Sequence, residues 1–286
     1  MRSTGFEALG YAFSLEESDA PSCSEALAAL GPLRVDRPGE VPTYAFRSAS
    51  GDAVRVLRDG VVLEELDGTR QAVDWLLWHV NQAVAAAGDA FVLLHAAAVE
   101  IGGGAVLLPG ASGAGKSTLC AALVLTGAGY LTDELTALAP DDVAVVPYPK
   151  SLALDGWSIA ALAALGMEQP TTTAGASAHV PPEAIRPAAT ARPCPPSMIV
   201  FPHFEAGAGS DLVELSAADA LVEVLSHSVN LAVHGGRALT LLAGVVERVP
   251  CWRLTYSDLG GATELVWSHA SSVRPARTRH RLGASR

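Results

Sequence analysis

The chain reads as an α/β protein in which a phosphate-loop core follows a small N-terminal α+β unit, and three observations predict this. The stretch Gly110-Ala111-Ser112-Gly113-Ala114-Gly115-Lys116-Ser117-Thr118 matches the pattern G-x-x-x-x-G-K-[ST] in full. The apolar residues 105–108 precede it as a buried strand would, and residues 119–125 follow it as a helix would. Before residue 90 the sequence instead shows short alternating strands around two helical stretches, with no chemistry-bearing cluster.

Taken in order, Tyr11-Ala12-Phe13-Ser14-Leu15 and Thr43-Tyr44-Ala45-Phe46 alternate like half-buried strands, and residues 24–30 resemble a short helix stopped by Gly31-Pro32. Residues 54–57 and 61–63 flank Arg58-Asp59-Gly60, a hairpin signal because Asp-Gly accepts the positive φ of tight turns. A helix follows, capped by Asp67 or Thr69, with Val73, Leu76, Leu77, Val80 and Val84 at helical spacing and Gly88 as its stop. Trp75, Trp78 and His79 on it read as packing residues.

The central block opens with residues 91–95 and continues through residues 96–100 to a turn at Gly102-Gly103-Gly104. If it pairs as a hairpin with the strand that feeds the loop, its start lies near that strand's end, and His95 comes close to bound phosphates. After the loop helix, Tyr130-Leu131-Thr132-Asp133-Glu134 carries an acidic pair to the end of a short strand. Residues 135–138 and 143–146 form a second hairpin, and residues 157–165 a helix. Residues 169–196, rich in Thr, Ala, Pro and Ser, read as a long irregular loop over the site, with Arg186 and Arg192 as candidates for transition-state charge. Strands at 198–201, 212–215 and 251–256 and helices at 217–225 (capped by Ser216), 238–246 and 263–267 complete the order. The organisation is therefore 1–90 as the N-terminal unit, 91–271 as the catalytic domain and 272–286 as a basic tail expected to be disordered.

Composition bounds the function. Half of the 286 residues are apolar, enough for one large core or two modest ones. The net charge of −11 argues against a nucleic-acid binder, although five of the 19 basic residues lie in the last thirteen positions. Cys23, Cys120, Cys194 and Cys251 are far apart and read as unpaired thiols. His203, His227, His234 and His269 share no ligand spacing, so a zinc site is not expected. With no signal pattern and no apolar run of membrane-spanning length, the expectation is a cytoplasmic protein without a membrane partner.

The loop residues have readable roles. Glycines let consecutive backbone N–H groups curl toward phosphate oxygens, so Gly110, Ser112, Gly113, Ala114 and Gly115 form the cradle and Thr118 completes the nucleotide-binding stretch. Lys116 brings positive charge to the β/γ-phosphates and the Ser117 hydroxyl can ligate Mg²⁺. A kinase needs a carboxylate for the metal and often a group to accept the proton of its acceptor hydroxyl, and Asp133 and Glu134 supply two carboxylates. Alone, a histidine at a strand end is usually structural and an Asp-Glu pair usually a solvated turn; their placement around the loop raises both.

This arrangement, His95 fifteen residues before Gly110 and Asp133-Glu134 beginning seventeen after Lys116, resembles the catalytic domain of HPr kinase/phosphorylase and its relatives over residues 95–149. The resemblance implies a phosphoenolpyruvate-carboxykinase-like core and ATP-dependent phosphorylation of a serine hydroxyl on a peptide or protein. It implies His95 assisting the catalytic carboxylate, Asp133 as general base, and Glu134 with Ser117 holding Mg²⁺. Thr118 stands where the bacterial regulatory enzyme usually has glutamate, Glu134 replaces a second aspartate, and the family's Ile/Glu/Arg/Gly signature is missing. These departures bear on phosphorolysis and on HPr as substrate. The layout is more similar to the stand-alone kinase-like relatives encoded with lasso-peptide biosynthesis proteins, which modify a precursor's C-terminal serine. The expected function is thus an ATP- and Mg²⁺-dependent serine kinase, its alternatives being a nucleotide-binding regulator without transfer and a small-molecule kinase. The sequence leaves oligomeric state open, a homo-oligomer included.

Overall fold

A computed structural model describes residues 2–36, 39–87, 90–168 and 178–273. Its contacts divide the chain into two units, one from Met1–Asp89 with Tyr148–Ala188 and the other from Ala90–Pro147 with Ala189–Arg286. Residues 148–188, assigned by sequence to the 91–271 domain, therefore cluster with the N-terminal residues. The fold is mixed α/β.

The first unit opens with strands β1 (Ser3–Ala8) and β2 (Tyr11–Glu16), helix α1 (Pro21–Ala29), and strands β3 (Arg34–Val35), β4 (Thr43–Ser48), β5 (Ala53–Arg58) and β6 (Val61–Asp67), followed by helix α2 (Thr69–Ala87). The strands form a six-stranded sheet in the order β3-β1-β2-β4-β5-β6. Asp59 and Gly60 both take positive φ at the expected hairpin turn. The α2 stripe Val73, Leu76, Leu77, Val80 and Val84 is buried, as its spacing predicts, while Gly88 lies outside the described residues. Trp75 stacks on His79 at 4.8 Å and His79 meets the edge of Tyr44 at 5.7 Å, whereas Trp78 is half exposed. Trp78 nonetheless packs against Trp75, with ring centroids 6.1 Å apart, so all three aromatic side chains take part in packing.

The second unit begins with β7 (Val92–Ile101), β8 (Gly104–Pro109), α3 (Lys116–Leu125), β9 (Gly129–Thr132), β10 (Leu135–Leu138) and β11 (Val145–Val146). The chain then returns to the first unit for β12 (Leu152–Leu154), α4 (Gly156–Ala164), β13 (Ala178–Val180) and the single turn α5 (Pro182–Ile185). So the stretch 169–196 is not one irregular loop: 169–177 lie outside the described residues, β13 pairs with β12, and the backbone of 189–191 bonds to Tyr130 of β9. Polar and Pro-rich composition hid these short pairings.

The second unit resumes with β14 (Pro196–Phe204), β15 (Asp211–Glu214), α6 (Ala217–Ser226), the single turn α7 (Leu231–His234), α8 (Gly236–Val246), β16 (Cys251–Tyr256) and α9 (Leu259–Ser272). Helix α9 starts earlier than its apolar spacing suggested because Asp258 accepts from the N–H groups of Gly260 and Gly261 and so caps a glycine-rich first turn. It runs to Ser272, into the stretch assigned to the tail, of which residues 274–286 lie outside the described set. The sheet runs β11-β10-β7-β8-β14-β16-β15, with β9 also on β7. β8, β14 and β16 are mutually parallel. Alternate residues of β7 (Val92, Leu94, Ala96, Ala98) share a core with Ala220 and Val224 of α6 and Leu242 and Val245 of α8. The intervening residues of β7 face the other side, where α3 and α9 lie against the strand. Among the described residues no helix is long and apolar enough to cross a membrane.

Candidate functional site

The second unit's sheet is interrupted at one level on both sides of β7. On one edge β8 pairs down to Ala96 opposite Pro109 and then leaves as the phosphate loop. Below that point His227–Asn230 takes over the same edge, with the His95 N–H donating to the His227 carbonyl at 2.7 Å and the Val229 N–H to Leu93 at 2.8 Å. On the other edge β9 ends at Thr132 opposite Ala98 and β10 begins at Leu135 opposite His95, so Asp133 and Glu134 fill the gap. The Ala96 N–H donates to the Glu134 carbonyl at 3.1 Å. The antiparallel hairpin expected from sequence is present, turning through Gly102 and Gly103 with positive φ, and its register places the loop and the acidic pair on either side of His95–Ala96.

The loop is built around Lys116. Gly113 and Gly115 adopt φ of +82° and +86°, Gly115 preceding the first residue of α3. Glycine is required at 115: a Cβ there would lie 2.1 Å from the Tyr256 hydroxyl. That hydroxyl donates to the Gly115 carbonyl at 3.4 Å, and the Tyr256 ring meets Phe204 edge-on at 5.7 Å. Burial pushes the Tyr256 pKa up to about 12, so the hydroxyl stays a neutral donor. Ser112 and Gly113 are exposed, Ala114 and Ser117 half buried, and Thr118 buried in the first turn of α3.

The Lys116 ammonium, on a side chain only 6% exposed as a residue, donates to the carbonyls of Gly110 and Ala111, both at 2.8 Å, and reaches His95 Nε2 at 3.1 Å. An ammonium has only donors, so Nε2 carries the lone pair and Nδ1 the hydrogen. Burial and then the Lys116 charge hold the His95 pKa below its ordinary 6.5, opposed in part by Glu134, so the imidazole is neutral at pH 7. Burial likewise lowers the Lys116 pKa, while Glu134 and Asp133 act to raise it. Both carboxylates therefore act on Lys116. Asp133 is 4% exposed, and the buried Tyr130 hydroxyl donates to its Oδ1 at 3.1 Å. Tyr130 is pushed well above 10 by burial and by Asp133, which keeps it a hydrogen-bond donor.

Mg²⁺ takes oxygen ligands and is usually held by one or two carboxylates completed by substrate phosphates and water. The Ser117 hydroxyl and the Glu134 carboxylate fit such a set. Among the described residues no group of three or more His, Cys, Asp or Glu side chains is placed to hold a metal ion. All four cysteines are buried free thiols. Of the two arginines singled out by sequence, Arg186 falls in the first unit, and Arg192 is exposed next to the strand-like bonds of Ala191 to Tyr130.

Four residues near the loop escaped sequence reading. Tyr130 and Tyr256 look like ordinary strand aromatics; the turn after β9 brings the Tyr130 hydroxyl to Asp133, and tertiary placement brings the Tyr256 hydroxyl to Gly115. His227 lies beyond α6 and Arg253 within β16; both line a cleft beside Gly110 and Ala111. No protein-family model matches the chain, and no curated protein matches it either.

Proposed function

We propose that the second unit is a Mg²⁺- and ATP-dependent phosphotransferase core of the phosphoenolpyruvate-carboxykinase-like kind found in HPr kinase relatives, and that it phosphorylates a serine hydroxyl on a peptide or protein. The observation that carries this reading is the double interruption around β7, which sets Lys116 and His95 beside the phosphate loop and a buried, hydrogen-bonded Asp133 across the same strand. An intact carboxylate at this place favours transfer over nucleotide binding alone.

The loop N–H groups and Lys116 bind the triphosphate, Lys116 exchanging its contacts with the Gly110 and Ala111 carbonyls for phosphate oxygens. Neutral His95, accepting from Lys116, orients the ammonium without adding charge. Ser117 and Glu134 would hold Mg²⁺, which would supply positive charge to the triphosphate. Asp133, steadied by Tyr130, accepts the serine proton. The serine oxygen then forms its bond to the γ-phosphorus as the bond to the β,γ-bridging oxygen breaks and ADP leaves. Asp133→Asn is expected to keep Mg·ATP affinity while transfer falls by about 10²–10⁴, the usual contribution of a general base. Lys116→Ala should weaken both. Calorimetric titration of Mg·ATP beside mass-spectrometric detection of phosphopeptide separates the two; undiminished transfer in Asp133→Asn sinks the assignment of the base.

A further inference from the structure

The cleft beside the loop has a volume of about 370 Å³ and takes its walls from Gly110 and Ala111, from Phe201 and His203 of β14, from His227 and from Arg253 of β16. It therefore opens where the parallel strands β8 and β14 end, the usual place for ligands in such sheets. A second hollow of about 600 Å³ runs along α6 past Leu215, Asp219, Val222 and Ser226, and the two share Glu223 and Arg253. The two hollows abut at the Glu223–Arg253 pair, between the surface of α6 and the start of the phosphate loop. The groove lies on the α6 side of the sheet, whereas the loop runs on into α3.

The inner chamber alone lies at the small end of sites for free small molecules, roughly 300–1,000 Å³. The outer hollow is what a free metabolite would leave empty. Its walls mix apolar and charged side chains, Val222 being 71% exposed, which suits successive side chains of an extended polypeptide. At the junction Arg253 donates to Glu223 at 2.7 Å, with the two side chains 50% and 29% exposed. Pairs this open are held weakly, so Arg253 can turn its remaining N–H donors to a passing backbone carbonyl.

We propose, on the phosphotransferase reading above, that the acceptor is an extended peptide segment laid along α6 in this groove. Its flanking residues lie over Val222 and Ser226, and its hydroxyl passes through the inner chamber between Gly110–Ala111 and His227 toward Asp133, which lies beyond that chamber's walls. The test compares the full chain with Val222→Arg/Ser226→Arg, two exposed positions one helical turn apart, whose melting temperature checks the fold. Two quantities are read: Mg·ATP affinity, and phosphoryl transfer from radiolabelled ATP to a pool of short random serine-containing peptides. The expected result is a loss of transfer of about tenfold or more with ATP affinity within about twofold of the parent, the signature of lost acceptor binding. Should the double variant melt early, Val222→Gln alone is expected to raise the peptide KM. Unchanged transfer overturns the groove, as does a parallel fall in ATP affinity, which would make it a nucleotide subsite. Transfer to free serine but to no peptide overturns it too. A parent chain that binds no Mg·ATP fails earlier, at the phosphotransferase reading, and removes the acceptor groove with it.

Discussion

Single side chains set the geometry of the loop, and the Gly115–Tyr256 contact is the sharpest case. Gly115→Ala meets both a hydroxyl at 2.1 Å and a positive φ that costs an ordinary residue about 1–2 kcal/mol. The expected outcome is loss of measurable Mg·ATP binding in Gly115→Ala and partial recovery in Gly115→Ala/Tyr256→Phe, which removes the clash but not the strained backbone. Full recovery in calorimetry would show that φ matters little there. His95 gives a pH signature. Its folded pKa lies below 6.5, so between the two values the unfolded chain binds more protons, and stability falls as pH drops through about 6.5. His79 and His227 are shifted in the same direction, with burial the first cause in each. Lys116, Glu134 and His227 are the charged or titratable groups acting on His95, Glu134 alone favouring its protonation. Urea midpoints between about pH 7.5 and 5.5 should decline for the parent and decline less for His95→Asn. An equal decline in both would remove His95 from the account.

At the scale of elements, the interruption of the sheet depends on what replaces the missing strand bonds. Asn230, buried at the edge vacated by β8, accepts from the Leu93 N–H and donates to the Phe91 carbonyl, both at 2.9 Å. Asn230→Ala strands the Leu93 N–H, while the Phe91 carbonyl keeps its bond from His234, and should cost about 1–3 kcal/mol, visible as a lower urea midpoint. Phosphate-loop function should suffer with it, because the same segment carries the His227 carbonyl that holds His95. Much of this scale was legible. The strand-loop-helix order around residues 105–125 and the two hairpins follow from apolar runs and turn residues, which are local properties. What was not legible is pairing at long range. Nothing in Pro-rich residues 189–196 announces bonds to Tyr130 or Val145, and Asn230 gives no periodic signal. The candidate site divides in the same way. His95, Lys116 and Asp133 could be found from spacing around a glycine-rich motif, whereas Tyr256, His227 and Arg253 become neighbours of the loop only through sheet order, and the bond from Tyr130 to Asp133, three residues on, depends on the turn after β9.

For the molecule as a whole, burial of thiols in both units gives a simple measure of integrity. Cys194 and Cys251 are pushed by burial to about 12 and about 11, so neither offers thiolate near neutral pH. An aromatic disulfide reagent at about pH 8 is expected to label none of the four cysteines in the native chain and all four in denaturant; fast labelling of a native thiol would show that a core opens locally. The boundary near residue 90 was readable from the change in pattern, but the return of 148–188 to the first unit was not, because membership of a core is decided by partners distant in sequence.

That excursion also bears on how the protein is made. The strand feeding the phosphate loop, β8, takes its second neighbour from β14, and the Ala105 N–H waits for the Pro195 carbonyl. During synthesis the ribosome must therefore add the whole of residues 148–188 before that side of β8 can be paired. Until then the nascent chain presents an apolar strand with an open edge, a species prone to self-association and a natural client for chaperones. Parallel pairing at such separation is intrinsically slow to nucleate.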